Sequence, residues 1–225
     1  GCGEKIAVPR PEGLFSVSAY YPDDSFAEAQ PLQVVVANNN LFVLSGTGSL
    51  TKRTLAYVEI VRAEALDQPT AFCRGDYSEL IFVWEQGARR LKVLSSTDLA
   101  PLDSSLVLPE VLAVNQIVTC RTGVEAVVGA RTFVYLSDPA ANVIHRYAYT
   151  EGGGFVSWGL LARGDGSGAR SVHQPAGMAV DAGGGLLVCD ADTARNWVIR
   201  FDPTPDPTDL LPLWNGLPPL RGLAV

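Results

Sequence analysis

Apolar residues in this chain fall in short runs rich in Val, Ile, Leu, Phe and Tyr, bounded by polar and glycine-rich turns. Runs of that length and make-up predict strands rather than helices. Leu41-Phe42-Val43-Leu44-Ser45, Phe82-Val83-Trp84-Glu85, Val134-Tyr135-Leu136-Ser137-Asp138 and Leu186-Leu187-Val188-Cys189-Asp190 share one slot in successive units. The last two match at an offset of 52 residues, which also sets Val128 on Val180. Each is followed by a loop and a second apolar strand, predicted at residues 55–61, 91–94, 143–149 and 197–201. A further echo joins Gly177-Met178-Ala179-Val180 to Gly222-Leu223-Ala224-Val225, 45 residues on. Short strands repeating every 40–50 residues are the pattern of propeller blades.

Turn signals agree. Asn38-Asn39-Asn40, Gly152-Gly153-Gly154 and Gly183-Gly184-Gly185 punctuate the strands, and residues 25–30 offer at most a turn or two of helix. Runs apolar on both faces, such as Val34-Val35-Val36, predict strands buried on two sides. A single small sheet cannot bury both of its faces, whereas sheets stacked side by side can. The expected organisation is a tether over residues 1–13, a non-repeat segment over 14–30, and a propeller over 31–225. The propeller part holds about four blades and the first strand of another. The non-repeat segment, with Tyr20-Tyr21-Pro22-Asp23-Asp24, is expected to add a closing strand or to cover one end.

One stretch carries a resemblance. Arg163-Gly164-Asp165-Gly166-Ser167-Gly168-Ala169-Arg170 is followed by Gln174-Pro175-Ala176-Gly177-Met178-Ala179-Val180-Asp181, Leu187-Val188-Cys189-Asp190 and Asn196-Trp197-Val198-Ile199-Arg200-Phe201. This resembles an NHL repeat: a Gly-Asp-Gly loop, a Pro-x-Gly-apolar-Ala-Val-Asp strand, an apolar strand ending in Asp, and an Asn-led strand ending in Phe. The likeness is close over residues 163–202, fair over 124–150 and loose over 31–100. Departures are the Gly183-Gly184-Gly185 turn and a two-residue insertion before Trp197. The resemblance implies an all-β, six-bladed β-propeller of four-stranded blades, incomplete in this chain. It also implies ligand-facing loops before the Pro-x-Gly strand, which makes His173 and Asp165 candidate binding residues.

Composition narrows the function classes. The 225 residues are 47% hydrophobic and 18% charged, which excludes a disordered chain. A net charge of −7, with 17 Lys and Arg against 24 Asp and Glu, argues against nucleic acid, which needs a basic face. No apolar run reaches the roughly 18 residues of a membrane-spanning helix. Gly1-Cys2-Gly3 has the form of the junction between a bacterial lipoprotein signal and its mature chain, so Cys2 is the expected lipidation site. A polar stretch with Pro9 and Pro11 follows, as suits a tether. The expected location is the bacterial cell envelope, lipid-anchored and facing the periplasm or the surface. Among the other cysteines, Cys73, Cys120 and Cys189, one disulfide such as Cys73–Cys120 is open, and sequence does not assign it.

Candidate chemistry is sparse. Of the two histidines, His145 lies mid-strand and reads as a packed, hydrogen-bonded residue, leaving His173 as the candidate. Asp138, Asp181 and Asp190 end strands, where aspartate accepts hydrogen bonds from turn N–H groups. The stretch from Asp190 to Asn196 lacks the glycine and terminal glutamate of an EF-hand, and no Cys/His spacing suits zinc. The Gly164–Gly168 loop lacks the Gly-Lys-Ser/Thr of a phosphate loop, and Gly-x-Ser-x-Gly does not occur. Arg74-Gly75-Asp76 spells an adhesion tripeptide of chance length, and the four tryptophans read as blade packing. The leading expectation is a non-enzymatic binding or interaction scaffold for a protein or glycan, without cofactor, catalytic or metal residues. The alternative, from the resemblance, is a metal-assisted lyase or lactonase at the channel mouth.

Overall fold

The computed structural model describes residues 26–75, 79–102, 105–120, 132–150, 153–163, 172–181, 185–192, 197–201 and 212–214. Among the described residues, sixteen strands form four antiparallel four-stranded sheets, each a meander of consecutive strands. The first holds β1 (Pro31–Ala37), β2 (Asn40–Ser45), β3 (Ser49–Thr54) and β4 (Glu59–Ala63); the second β5 (Pro69–Arg74), β6 (Leu80–Glu85), β7 (Arg90–Ser95) and β8 (Leu106–Val107). The third holds β9 (Gln116–Cys120), β10 (Thr132–Asp138), β11 (Val143–Thr150) and β12 (Gly154–Arg163); the fourth β13 (Pro175–Val180), β14 (Leu186–Asp190), β15 (Trp197–Phe201) and β16 (Pro212–Trp214). The result is an all-β, propeller-like array.

The second strands create the need for stacking. On β6, Phe82 and Trp84 point to one side and Ile81 and Val83 to the other, and all four are buried. Phe82 and Trp84 join Val134, Leu136 and Tyr147 between the second and third sheets. Ile81 and Val83 join Phe42, Leu44 and Phe72 between the first and second. The same division recurs on β10, whose Phe133 and Tyr135 meet Met178, Leu186 and Phe201 of the fourth sheet. Strand periodicity alone thus allots each sheet to two neighbours.

Polar residues at the C-terminal ends of the second strands fasten each sheet to the loop that leads into it. Ser45, Glu85, Asp138 and Asp190 occupy this position and all are fully buried. Asp138 accepts N–H groups of Leu112 (2.6 Å), Ala113 (3.3 Å) and Ala141 (3.0 Å). Asp190 accepts those of Gln174 (3.0 Å) and His173 (3.2 Å). Glu85 accepts the Asp67 N–H at 3.1 Å and the Arg90 Nε–H at 2.6 Å. Ser45 Oγ donates to the Ala29 carbonyl. Burial opposes ionisation of Asp138, but the nearby His145 and the three backbone donors outweigh it and hold the carboxyl below its usual range.

Three expectations change. Of the strand predicted at residues 55–61, only 59–61 are strand, the start of β4, while 55–58 form the turn before it; the preceding Ser-Leu-Thr-Lys-Arg-Thr segment is β3. Its Lys52 Nζ sits 5.9 Å from the Phe42 ring centroid and donates to the carbonyls of Ser96 (2.9 Å) and Thr97 (3.0 Å), so a polar-looking run is held by tertiary contacts. Val34 and Val36 are not buried on two sides: they are 58% and 64% exposed, because among the described residues no sheet covers that face of β1. The described part of the predicted helical turn, residues 26–30, is irregular. It crosses the first sheet, where Glu28 pairs with Arg53 (3.0 Å) and Arg62 (3.3 Å) and Phe26 lies under the Arg53 guanidinium. The turn at Asn38-Asn39 is as expected. Both residues have positive φ and join β1 to β2 as a two-residue hairpin loop.

Chemical denaturation of the 225-residue chain tests this packing. Phe82→Ala should cost about 3–5 kcal/mol, whereas Val34→Ala should stay within about 0.5 kcal/mol; equal losses would contradict the assignment of faces. Asp138→Asn should cost about 2–4 kcal/mol at pH 7. Because the folded carboxyl has the lower pKa, its contribution is complete above the unfolded value of about 3.9 and fades as pH falls through the folded value. Stability of the native sequence should therefore drop on acidification below about pH 4, and the Asn variant should lose that part of the slope.

Candidate functional site

The first strands β1, β5, β9 and β13 run next to one another in that order. Each is the edge strand of its sheet, so its outer N–H and C=O groups have no ladder partner. Side chains from the neighbouring sheet take that place. Gln116 on β9 answers both backbone groups of Met178 on β13: its Nε2 donates to the carbonyl at 2.7 Å and its Oε1 accepts the N–H at 2.5 Å. Gln33 on β1 accepts the Phe72 N–H of β5 at 2.9 Å. Thr119 Oγ1 donates to the Arg74 carbonyl at 3.3 Å, and Thr70 Oγ1 to that of Val114 at 2.9 Å. A primary amide carries a donor and an acceptor in the spacing of a peptide unit, so glutamine extends the ladder across two sheets.

Between these strands lies a cavity of about 250 Å³. It is lined by Gln33 and Val35 of β1, residues 72–74 of β5, residues 116–119 of β9 and Val180 of β13. All four sheets contribute. The wall mixes polar and apolar surface in similar amounts, and Arg74 is the one charged residue of the described lining. The Arg74 side chain is 14% exposed and its Nη2 lies 3.5 Å from Glu79 Oε1, a long contact to a carboxylate that is itself 67% exposed. No Asp, Glu or His belongs to the described lining.

The residues singled out in sequence are elsewhere. His173 sits at the start of the fourth sheet, with its backbone N–H on Asp190 and Nδ1 3.5 Å from Asp192 Oδ2; it does not line the cavity. Asp165 and Cys2 lie outside the described residues. His145 is buried, as expected, stacked on Tyr147 with its Nε2 3.6 Å from Asp138 Oδ2, beyond good hydrogen-bond length. The reading of Asp138, Asp181 and Asp190 as acceptors for turn N–H groups agrees with the structure; Asp181 accepts the Gly185 N–H at 2.8 Å and the Arg200 Nε–H at 2.6 Å. Cys73 and Cys189 are buried, and burial raises the Cys189 thiol pKa. Among the described residues no group of three His, Cys, Asp or Glu is arranged to hold a metal ion. Arg74, met in sequence only as part of a chance tripeptide, is a wall residue rather than an exposed loop tip. The signal that could have marked it was polar residues interrupting first strands: Gln33, Arg74, Gln116 and Thr119.

No family profile and no curated protein matches the sequence. Solved structures do match in fold. A functionally unknown protein from Desulfotomaculum acetoxidans DSM 771 aligns with a TM-score of 0.61 at 11% identity, over 84% of this chain and 56% of that one. A structural genomics protein of unknown function from Bacteroides thetaiotaomicron VPI-5482 aligns with a TM-score of 0.54 at 14% identity, over 75% of this chain and 44% of that one. The chain thus spans about half the length of these structures, and the likeness is one of fold.

Proposed function

We propose that this chain is part of an NHL-type, six-bladed propeller that acts as a non-enzymatic binding scaffold for a protein or glycan, held on a bacterial cell envelope by lipid at Cys2. One observation carries the binding reading: the cavity shared by the first strands is walled by apolar side chains, amides, one hydroxyl, the buried Cys73 thiol and one guanidinium. General acid–base chemistry most often uses His, Asp or Glu, and none of these belongs to the described lining. The acids at the ends of the second strands are instead engaged by backbone N–H groups inside the sheets. Rigid strands around a small cavity suit recognition, since little ordering remains to be done on binding. The NHL assignment rests on the motif at residues 163–202, and the anchor on Gly1-Cys2-Gly3.

Binding is tested by equilibrating the chain with soluble glycans and short peptides and weighing each probe by mass spectrometry before and after. Saturable binding with every probe recovered unchanged is the expected result; loss or cleavage of a bound probe contradicts the scaffold reading. The anchor is tested separately by expressing Cys2→Ser behind a native lipoprotein signal. The variant should leave the membrane fraction, and unchanged retention contradicts lipidation at Cys2.

A further inference from the structure

We infer that the part of a ligand entering the cavity is a carboxylate on an apolar body, with Arg74 as its anchor. The inference rests on the reading of this cavity as a binding site. Its size is the first constraint: about 250 Å³ lies below the roughly 300–1,000 Å³ of pockets for drug-sized ligands, so it takes one residue-sized group. Its wall is the second. Val35, Val118 and Val180 are half-buried and offer apolar surface beside the polar groups, which favours an aliphatic or aromatic body over a fully hydroxylated one.

Charge is the third constraint. Arg74 is the one charged residue of the described wall, and no carboxylate of that lining competes for it. Its partner Glu79 is solvent-facing, sits at 3.5 Å, and uses its other oxygen to accept the Ser96 hydroxyl at 2.5 Å. A pair of that length whose carboxylate stands mostly in water holds the guanidinium weakly. A planar guanidinium presents paired N–H donors that match the two oxygens of a carboxylate, and the match strengthens where water is excluded. The C-terminal apolar residue of a polypeptide and a free organic acid share this chemistry. Both are monoanions with an apolar body of the right size.

Isothermal titration of the full chain distinguishes them, using acetyl-Ala-Val, its C-terminal amide, isovalerate and glucuronate as probes. Acetyl-Ala-Val should bind roughly tenfold or more tighter than its amide, the difference of one charge-assisted contact. Arg74→Gln should remove that preference, with a far-UV spectrum and melting curve showing that the variant folds. Glu79→Gln, which frees the guanidinium without touching the described cavity wall, should preserve or raise the affinity. Isovalerate binding as tightly as the dipeptide assigns the site to free acids; weaker binding assigns it to a chain terminus. Equal affinity for acid and amide, an Arg74→Gln variant that keeps the preference, or glucuronate binding tightest overturns the inference. If neutral probes still bind in the cavity, only the role of Arg74 falls. If a probe is consumed, the scaffold reading falls as well.

Discussion

Strands with apolar side chains on both faces are the constraint on which the rest of this structure depends. β6 buries Phe82 and Trp84 on one side and Ile81 and Val83 on the other, so the second sheet has two apolar faces and must be covered twice. Each fully buried side chain of this kind contributes roughly 1.5–3 kcal/mol over leaving it in water. No hydrogen-bonding choice within the sheet can offset leaving either face bare. Stacking sheet on sheet meets the need, and it dictates that the second strands of the inner sheets contain almost no polar residues except at their ends.

Those ends have a separate task. A loop passing from one sheet to the next brings backbone N–H groups into the stack, where unpaired donors are expensive. Glu85, Asp138 and Asp190 accept them from the same position in three successive sheets, and the Ser45 hydroxyl holds the matching loop by its Ala29 carbonyl. At the inner edges the solution is glutamine, with Gln33 and Gln116 answering the backbone of the adjacent first strand. Because side chains rather than a further strand satisfy these edges, the first strands stay apart enough to leave a cavity among them. The cavity is thus a by-product of how the edges are paired, and Arg74 gives it a charge.

Much of this architecture was legible in the chain. Leu41 to Ser45, Phe82 to Glu85, Val134 to Asp138 and Leu186 to Asp190 are the second strands, since apolar runs ending on a polar residue report both double burial and the staple. What escaped was decided by neighbours distant in sequence. β3 looks polar because Lys52 reaches carbonyls of the Ser96-Thr97 turn over its own aliphatic stem. Val34 and Val36 look like core, yet which faces are covered depends on which sheets stand beside β1. The cavity was hidden for the same reason. Gln33, Arg74, Gln116 and Thr119 are scattered along the sequence and meet only when three edge strands come together. The histidines drew attention by their chemistry, but His145 is core and His173 belongs to a loop fastened by Asp190.

The proposed ligand site is the cavity between the inner strands, with Arg74 as its anchor. It is tested most directly by a nuclear magnetic resonance titration with acetyl-Ala-Val, following the Arg74 Nε–H, the Gln33 and Gln116 side-chain amides and the methyl groups of Val35, Val118 and Val180. Saturable shifts concentrated on these groups are expected, with one dissociation constant for all and the largest change at the Arg74 guanidinium. Shifts confined to the turns between strands, with Arg74 and the valine methyls unmoved, would contradict it.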